Sequence, residues 1–384
     1  MRITHLCLGC FYPDGFSYQE NMLPKFHKQQ GHEVTVIASL QTFDKNGKTA
    51  YMDHASSYLN EYDIPVTRLD YKKPLRVYRK MKRFEGTYEA LCEAAPEVLF
   101  IHGCQFLDTD KVIRYLKEHP DIKVFVDNHA DFSNSASGWA SKNLLHGVIW
   151  KRCAHRIDPY VKKWYGVLPA RVDFLKDIYD LPESKIELLV MGADDDKVRK
   201  ALDPSVRRDF RERYGIAQDD FLIMTGGKID TAKQQTILLM QAVNRLADEK
   251  VKLIVFGSVI PELKEKVEAS CSDKVQYIGW IQSDDSYDCF AAADLVVFPG
   301  RHSVFWEQVA GLGIPMVCKF WEGTTHVDLG GNVRFLYRDS EDEIEEVLRD
   351  ITGSSEVYAR MKQAAFEGRQ IFSYDDIARR CLEG

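Results

Sequence analysis

The sequence predicts an α/β protein of two Rossmann-like, doubly wound domains facing each other across a cleft, and three observations predict it. The 384 residues are more than one ordinary core organises, and they suit two domains of under about 200 residues each. Short apolar runs that end in polar or glycine residues recur in both halves, separated by helical patterns. The series is interrupted once, between Met191 and Lys200, where Gly192 and the aspartates Asp194, Asp195 and Asp196 stand, and then begins again.

The first run, Ile3 to Leu8, is followed by the turn residues Pro13, Asp14 and Gly15 and by a helical pattern through Met22, Leu23 and Phe26. Gly31-His32 ends that helix, and Glu33 to Ala38 begins a second strand, which completes a β-α-β unit. Val98 to Ile101 leads into His102-Gly103, and Val124 to Val126 leads into Asp127-Asn128-His129. In open α/β sheets ligands bind at such strand ends. The second series runs through strand 221–224 with Thr225-Gly226-Gly227-Lys228, helix 236–247, strand 253–256, strand 276–278, helix 287–293 and strand 295–298 with Pro299-Gly300. The expected domains are 1–195 and 196–365, with 366–384 a helix packing back onto the first.

Composition narrows the function classes. No apolar run approaches the roughly 18–20 uncharged residues of a bilayer span. The amino-terminal stretch is broken by His5 and by Pro13-Asp14-Gly15, as a strand and turn would be and a signal peptide would not. The expected location is therefore cytoplasmic, with the nine cysteines as reduced thiols and the Cys7/Cys10 pair as core. The net charge of −7 falls in residues 196–384 and leaves the first half relatively basic. An acidic protein without a base-stacking motif is not expected to bind nucleic acid.

Gly226-Gly227-Lys228 follows a strand directly, with Lys233 five residues beyond Lys228 near a helix start. Backbone amides in a glycine turn, a helix N-terminus and two ammonium groups make a pyrophosphate site, although lysines in such loops are also commonly just solvated. The stretch from Phe298 to Val317 ends a strand in a polar loop and opens a short helix with Glu307 near its start. It closes that helix with Gly313-Ile314-Pro315. A carboxylate so placed can accept two hydrogen bonds from a vicinal diol such as a ribose; the plainer reading is a glutamate favoured by the helix dipole.

The chain resembles the GT-B-fold glycosyltransferases, in particular glycosyltransferase family 4 (glycosyl transferases group 1). Its glycine loop and G-H-E-V-T-V strand are matched by Gly15 to Tyr18 and Gly31 to Val36, and its N-G-[VA]-D pattern by Met191-Gly192-Ala193-Asp194. Its donor pattern G-[RK]-x-x-x-x-K is matched by Gly227, Lys228 and Lys233, and a later segment by Gly279-Trp280-Ile281 and Phe290 to Leu295. The resemblance implies a GT-B fold and transfer of a sugar from a UDP- or GDP-sugar co-substrate to an acceptor hydroxyl, with retention and with neither cofactor nor metal. Lys228 and Lys233 would hold the donor diphosphate, with Gly227 in their loop, and the backbone near Ile281 would read the base. Gly15 would let the first loop approach the phosphates, and His129 would lie beside the transferred sugar.

One loop departs from the resemblance. The family has two glutamates eight positions apart, the second seven before the proline of G-x-P, but here those positions hold Gly300 and Gln308. Either Glu307 takes the second role through a helix shift or Gln308 takes it as a neutral partner. Arg301, His302 and Ser303 are left to replace the first. The aspartate clusters 194–196, 219–220 and 284–285 are expected to be caps and solvated loops. A basic cluster including Arg76, Arg79, Lys80 and Arg83 lies on one helical stripe beside an apolar stripe of Val77, Met81, Phe84, Tyr88 and Leu91. Such a helix suits an anionic membrane surface and a glycan or lipid-linked acceptor, as in cell-surface polysaccharide or glycolipid synthesis; it also suits an ordinary surface helix. A sugar-nucleotide epimerase and a non-catalytic sugar- or protein-binding module are the rival readings.

Overall fold

The computed structural model describes residues 1–43, 49–131, 135, 138–139, 141–282 and 285–383, and Asp284 of the third aspartate cluster lies outside them. The chain forms two compact units: Met1–Met191 together with Tyr374–Gly384, and Gly192–Ser373.

In the first unit the strands are β1 (Arg2–Cys7), β2 (Glu33–Ser39), β3 (Gln41–Phe43), β4 (Thr49–Tyr51), β5 (Ser56–Leu59), β6 (Pro65–Leu69), β7 (Val98–His102), β8 (Lys123–Asn128), β9 (Val161–Gly166) and β10 (Ile186–Leu188). Eight of them make one sheet in the order β10-β9-β8-β7-β1-β2-β6-β5, parallel except for β5 against β6, while β3 and β4 pair separately. The central strands are buried along almost their whole length, as parallel strands covered by helices on both faces must be. Their apolar runs are therefore continuous, and the polar residues inside them, His5 and His102, are exceptions that need partners. The sequence order reverses between β1 and β7, which makes their carboxyl ends the binding crevice of this sheet.

The helix Tyr374–Arg380 completes the first unit by packing on the helix Gln19–Gln29. Tyr374 stacks on Phe26 with centroids 6.1 Å apart, and Gln30 Nε2 donates to the Asp375 carbonyl at 2.7 Å. The stretch 366–384, expected as one helix, holds the end of the α-helix Ser355–Gly368 in the second unit, a short 3₁₀ turn at Arg369–Phe372 and the α-helix Tyr374–Arg380 in the first.

The second unit holds β11 (Phe221–Gly226), β12 (Val251–Phe256), β13 (Val275–Tyr277), β14 (Leu295–Phe298), β15 (Met316–Lys319) and β16 (Val333–Leu336), all parallel in the order β13-β12-β11-β14-β15-β16. Its reversal lies between β11 and β14. Helices Gln235–Arg245 and Phe305–Leu312 follow those two strands, so both loops of chemical interest open at one sheet edge. Ser340 and Ser354 cap the next two helices by accepting from the Glu343 and Val357 amides, worth about 1 kcal/mol each. Two Rossmann-like units are what the sequence predicts. Among the described residues no helix is long and apolar enough to cross a membrane.

The basic stripe departs from expectation. The stretch that carries it is two helices, Leu75–Met81 and Thr87–Ala94, parted where Lys82 and Gly86 take left-handed backbone conformations at φ 51° and 79°. Val77 is consequently exposed, whereas Phe84 is buried against Tyr71 with ring centroids 4.7 Å apart. Periodicity carried across the break had placed both on one face.

Candidate functional site

At the carboxyl ends of β11, β12 and β13 three loops are laced by backbone hydrogen bonds. Gly227 N–H donates to the Phe256 carbonyl at 3.1 Å, Ile229 N–H to the Ser258 carbonyl at 2.8 Å, and Gly257 N–H to the Gly279 carbonyl at 2.8 Å. Gly257, at φ +130°, comes so close to the first loop that a Cβ would stand 1.9 Å from the Gly227 oxygen. Only glycine permits this approach. The loops form a fixed rim, and the two candidate lysines stand on it in different surroundings.

Lys228 is exposed and pairs with Asp230 at 3.6 Å. Lys233 is turned inward: its stem lies against Gly300, and its Nζ is 3.9 Å from where a Gly227 Cβ would be. Burial lowers the Lys233 pKa from its ordinary value, and Asp230 offsets only part of this. Among the described residues no carboxylate pairs with its ammonium. The β11 and β14 loops therefore meet around a partly desolvated cation, an arrangement that favours an arriving anion.

Glu307 is fully buried in the first turn of the helix Phe305–Leu312. Its Oε1 accepts from His302 Nε2 at 2.7 Å and from His326 Nε2 at 2.8 Å. Burial alone would raise this carboxyl, but the two imidazoles outweigh it and hold it well below the usual carboxylate range. Glu307 Oε2 and His326 Nδ1 have no hydrogen-bond partner among the described residues. The side chain of His302 keeps 14% exposure against 0% for Glu307, so His302 is the member of this triad that solvent reaches. His326, on the loop after β15, was not among the sequence candidates; a histidine among turn residues gives no periodic signal.

The remaining candidates of this unit divide. Ser303 accepts the Trp306 amide through its carbonyl at 3.0 Å and so starts the helix. Gln308 is buried and reaches Ser286 Oγ at 3.5 Å, facing the helix Ser286–Ala291. Ile281 is half-buried in the loop after β13. Asp194 caps the helix Asp195–Ala201 by accepting from Asp196 N–H at 3.1 Å.

In the first unit His129 lies just beyond β8, half-buried, with Nε2 at 3.3 Å from Asp127 Oδ2 and 3.9 Å from Glu20 Oε1. Burial would lower its pKa, but Glu20 and Asp127 together raise it. Asp127 also accepts from His102 Nδ1 at 2.7 Å and from Gly103 N–H at 3.2 Å. Gly15, at φ +76°, is exposed, and its amide donates to Glu61 at 2.8 Å. The donor atoms of His102, Asp127 and His129, and those of His302, Glu307 and His326, each lie within 4.8 Å of one another. In both groups imidazole nitrogens and carboxylates already approach at ion-pair distances.

Of the basic residues, Arg83 pairs with Asp108 at 3.3 Å and Asp110 at 3.0 Å, and Arg79 lies over the Tyr51 ring at 4.1 Å. Both are half-buried and hold partners within the unit. Arg76 and Lys80 are exposed, next to the exposed Leu75 and Val77.

Residues 220–349 match the family model described as glycosyl transferases group 1. The chain is similar to mannosylfructose-phosphate synthase of Agrobacterium fabrum, 23% identical over 231 residues that cover 56% of this chain and 50% of that one. It spans about half the length of the curated relatives it matches. Its fold is similar to that of Anabaena HepE in complex with UDP, with TM-score 0.69, 15% identity and coverage of 100% and 99% of the two chains. It is also similar to UDP-GlcNAc 2-epimerase of Neisseria meningitidis bound to UDP-GlcNAc, with TM-score 0.63, 11% identity and coverage of 100% and 99%.

Proposed function

We propose, from the match of residues 220–349 to the group 1 glycosyltransferase model and from the chain's GT-B fold, that this protein transfers a glycosyl unit from a UDP- or GDP-sugar to an acceptor hydroxyl. The observation that carries the reading is Lys233, desolvated between the β11 and β14 loops beside a glycine rim. A diphosphate leaving group gains negative charge as the glycosidic bond breaks, and a fixed, partly desolvated cation stabilises that charge more than it stabilises the ground state. Lys228, held loosely by Asp230 at the surface, contributes as a second, more screened cation.

His302 takes the place of the absent first glutamate. It is the part of the histidine–carboxylate triad open to solvent, and Glu307 fixes its Nε2–H, leaving Nδ1 for a hydroxyl of the donor. Glu307 thus orients rather than touches. His129, whose pKa Glu20 and Asp127 raise against burial, presents an N–H donor to oxygens of the transferred sugar. Lysine and backbone amides balance the diphosphate charge, so transfer proceeds without metal and, in this reading, with retention. The acceptor is a growing polysaccharide or a lipid-linked glycan, approached with Arg76, Lys80, Leu75 and Val77 toward an anionic surface.

The test is incubation with a panel of UDP- and GDP-sugars, with and without chelator. Released nucleotide, glycosylated acceptor and the anomeric configuration of the product are the readouts. Turnover that survives chelation is expected. Epimerised sugar without transfer would establish the epimerase reading instead, and absence of both turnover and donor binding would overturn catalysis altogether.

A further inference from the structure

A line of buried imidazoles crosses the first unit. The Ala378 carbonyl of the C-terminal helix lies 2.8 Å from His27 Nε2, His27 Nδ1 lies 3.0 Å from His5 Nε2, and His5 Nδ1 lies 2.9 Å from His102 Nε2. His102 Nδ1 then meets Asp127 Oδ2 at 2.7 Å, and the same oxygen is 3.3 Å from His129 Nε2. His5, His27 and His102 are fully buried. The ring centroids of His5 are 5.1 Å from those of His27 and 5.2 Å from those of His102, at interplanar angles of 30° and 18°. Such rings meet edge to edge through their nitrogens.

A carbonyl oxygen can only accept, and with His27 and His5 neutral this orders the hydrogens as far as His102 Nε2. His27 must carry its hydrogen on Nε2, so a neutral His27 accepts at Nδ1 and His5 donates from Nε2. A neutral His5 in turn accepts at Nδ1, and His102 donates from Nε2. A neutral His102 with that hydrogen would aim a lone pair at the Asp127 carboxylate. Two arrangements complete the line, a neutral His102 facing a protonated Asp127 or an imidazolium bonded to a carboxylate; Asp127, which also accepts from Gly103 N–H and which His102 and His129 hold well below the usual carboxylate range despite its burial, selects the second. Burial holds His5 well below its ordinary range and His27 down to about 3, while Asp127 and its neighbours carry His102 up to about 9 against its own burial.

We propose that this line, anchored on the C-terminal helix, fixes an imidazolium at His102 and thereby sets the charge that His129 presents to its ligand, which makes His27, His5 and His102 positioning residues for the transfer. The inference rests on the transferase reading for its purpose but not for its proton arrangement. The groups facing His129 are Asp127 beside it, Glu20 on the helix Gln19–Gln29 and Arg171 on the helix Pro169–Asp177. Those facing His102 are Asp127, His129, His5, Cys7 and Glu20, and those facing His27 are His5, His32, His102 and the Cys381 thiol at 3.5 Å. With the cation at His102 less than 5 Å away, His129 holds its proton less tightly than Asp127 and Glu20 alone would allow.

The test uses the full chain labelled with ¹⁵N-histidine. In the wild type, His27 and His5 are expected as neutral Nε2–H tautomers and His102 as an imidazolium through pH 8; a neutral His102 at pH 7, or an Nδ1–H tautomer at His5, overturns the proposal without any variant. His5→Asn keeps an acceptor for His102 and is expected to leave the His129 midpoint in place. His5→Phe removes that acceptor, discharges His102 and is expected to raise the His129 midpoint by roughly 1 unit, carrying the alkaline limb of the kcat profile with it. Equal midpoints in the two variants overturn the line. A moved midpoint without a moved kcat limb upholds the line and removes His129 from the transfer.

Discussion

Lys233 and Lys228 are two lysines in one loop, and the structure gives them unequal surroundings. Lys233→Ala is expected to lower kcat by about 10²–10³-fold, the usual effect of deleting one preorganised group that stabilises developing charge. Lys228→Ala, which removes an exposed cation already paired with Asp230, is expected to cost less than about tenfold, and more at low salt than at high. Nucleotide release measured at two ionic strengths separates the two.

Glu307 makes a prediction about stability. Glu307→Leu leaves His302 and His326 without their shared acceptor and is expected to lose about 3–5 kcal/mol in denaturant titration at pH 7. The carboxyl is depressed in the folded protein, so its contribution is complete above the unfolded value of about 4.3 and disappears as pH falls through the lower folded value. The wild type's advantage over Glu307→Leu should therefore shrink when both are titrated at successively lower pH, from 5 toward 3.

Among the elements, the glycine rim is the most sharply constrained. Gly257→Ala would drive a methyl into the Gly227 carbonyl at a backbone angle that L residues rarely adopt, and a loss of at least about 2 kcal/mol is expected. A Cβ at Gly300 would meet Lys233 and the Gln235 side chain at ordinary contact distances of 3.4–3.5 Å, so Gly300→Ala should leave both the thermal midpoint and the donor affinity near the wild type's. The helix Leu75–Met81 carries a further prediction. Replacing Arg76 and Lys80 with Gln should weaken binding to vesicles containing anionic lipid, by about 1 kcal/mol per residue, whereas Arg83→Gln should instead destabilise the unit through Asp108. Vesicle sedimentation beside a melting curve distinguishes these effects.

How much of this was legible differs by element. The strands β1, β2, β7, β8, β11 and β12 are readable because a strand covered on both faces must be apolar throughout, and each run ends in the glycine or polar residue that the crevice requires. The break at Lys82 is not readable, because hydrophobic period is blind to a single residue entering the left-handed region. Glu307 was visible as a carboxylate at a helix start, but its burial depends on His326, delivered by a later loop. The imidazole line was least accessible. Its members come from two strands and a helix, and only the parallel register of β1 against β7 brings His5 and His102 together. The available signal was a histidine inside an otherwise apolar strand, which the reading of Ile3 to Leu8 passed over as a break in a signal peptide.

At the scale of the whole molecule, each unit has its own sheet and its own buried core. A nucleoside diphosphate that binds the second unit at 100 times its Kd should stabilise that unit by about 2.7 kcal/mol. Calorimetry with and without UDP should therefore move the transition of the second unit. A uniform shift of all unfolding would argue that the two melt as one.

The first unit is closed by residues that follow the whole second unit in sequence. Between Met191 and Tyr374 the whole second unit is synthesised, which at about 5–20 residues per second takes on the order of 10–40 s. Throughout that interval the nascent first unit lacks the helix Tyr374–Arg380, and His27 lacks its carbonyl acceptor in what will become the interior. The unit begun first is thus completed only after the second, and until the helix Tyr374–Arg380 emerges the apolar surface around Phe26 stays uncovered.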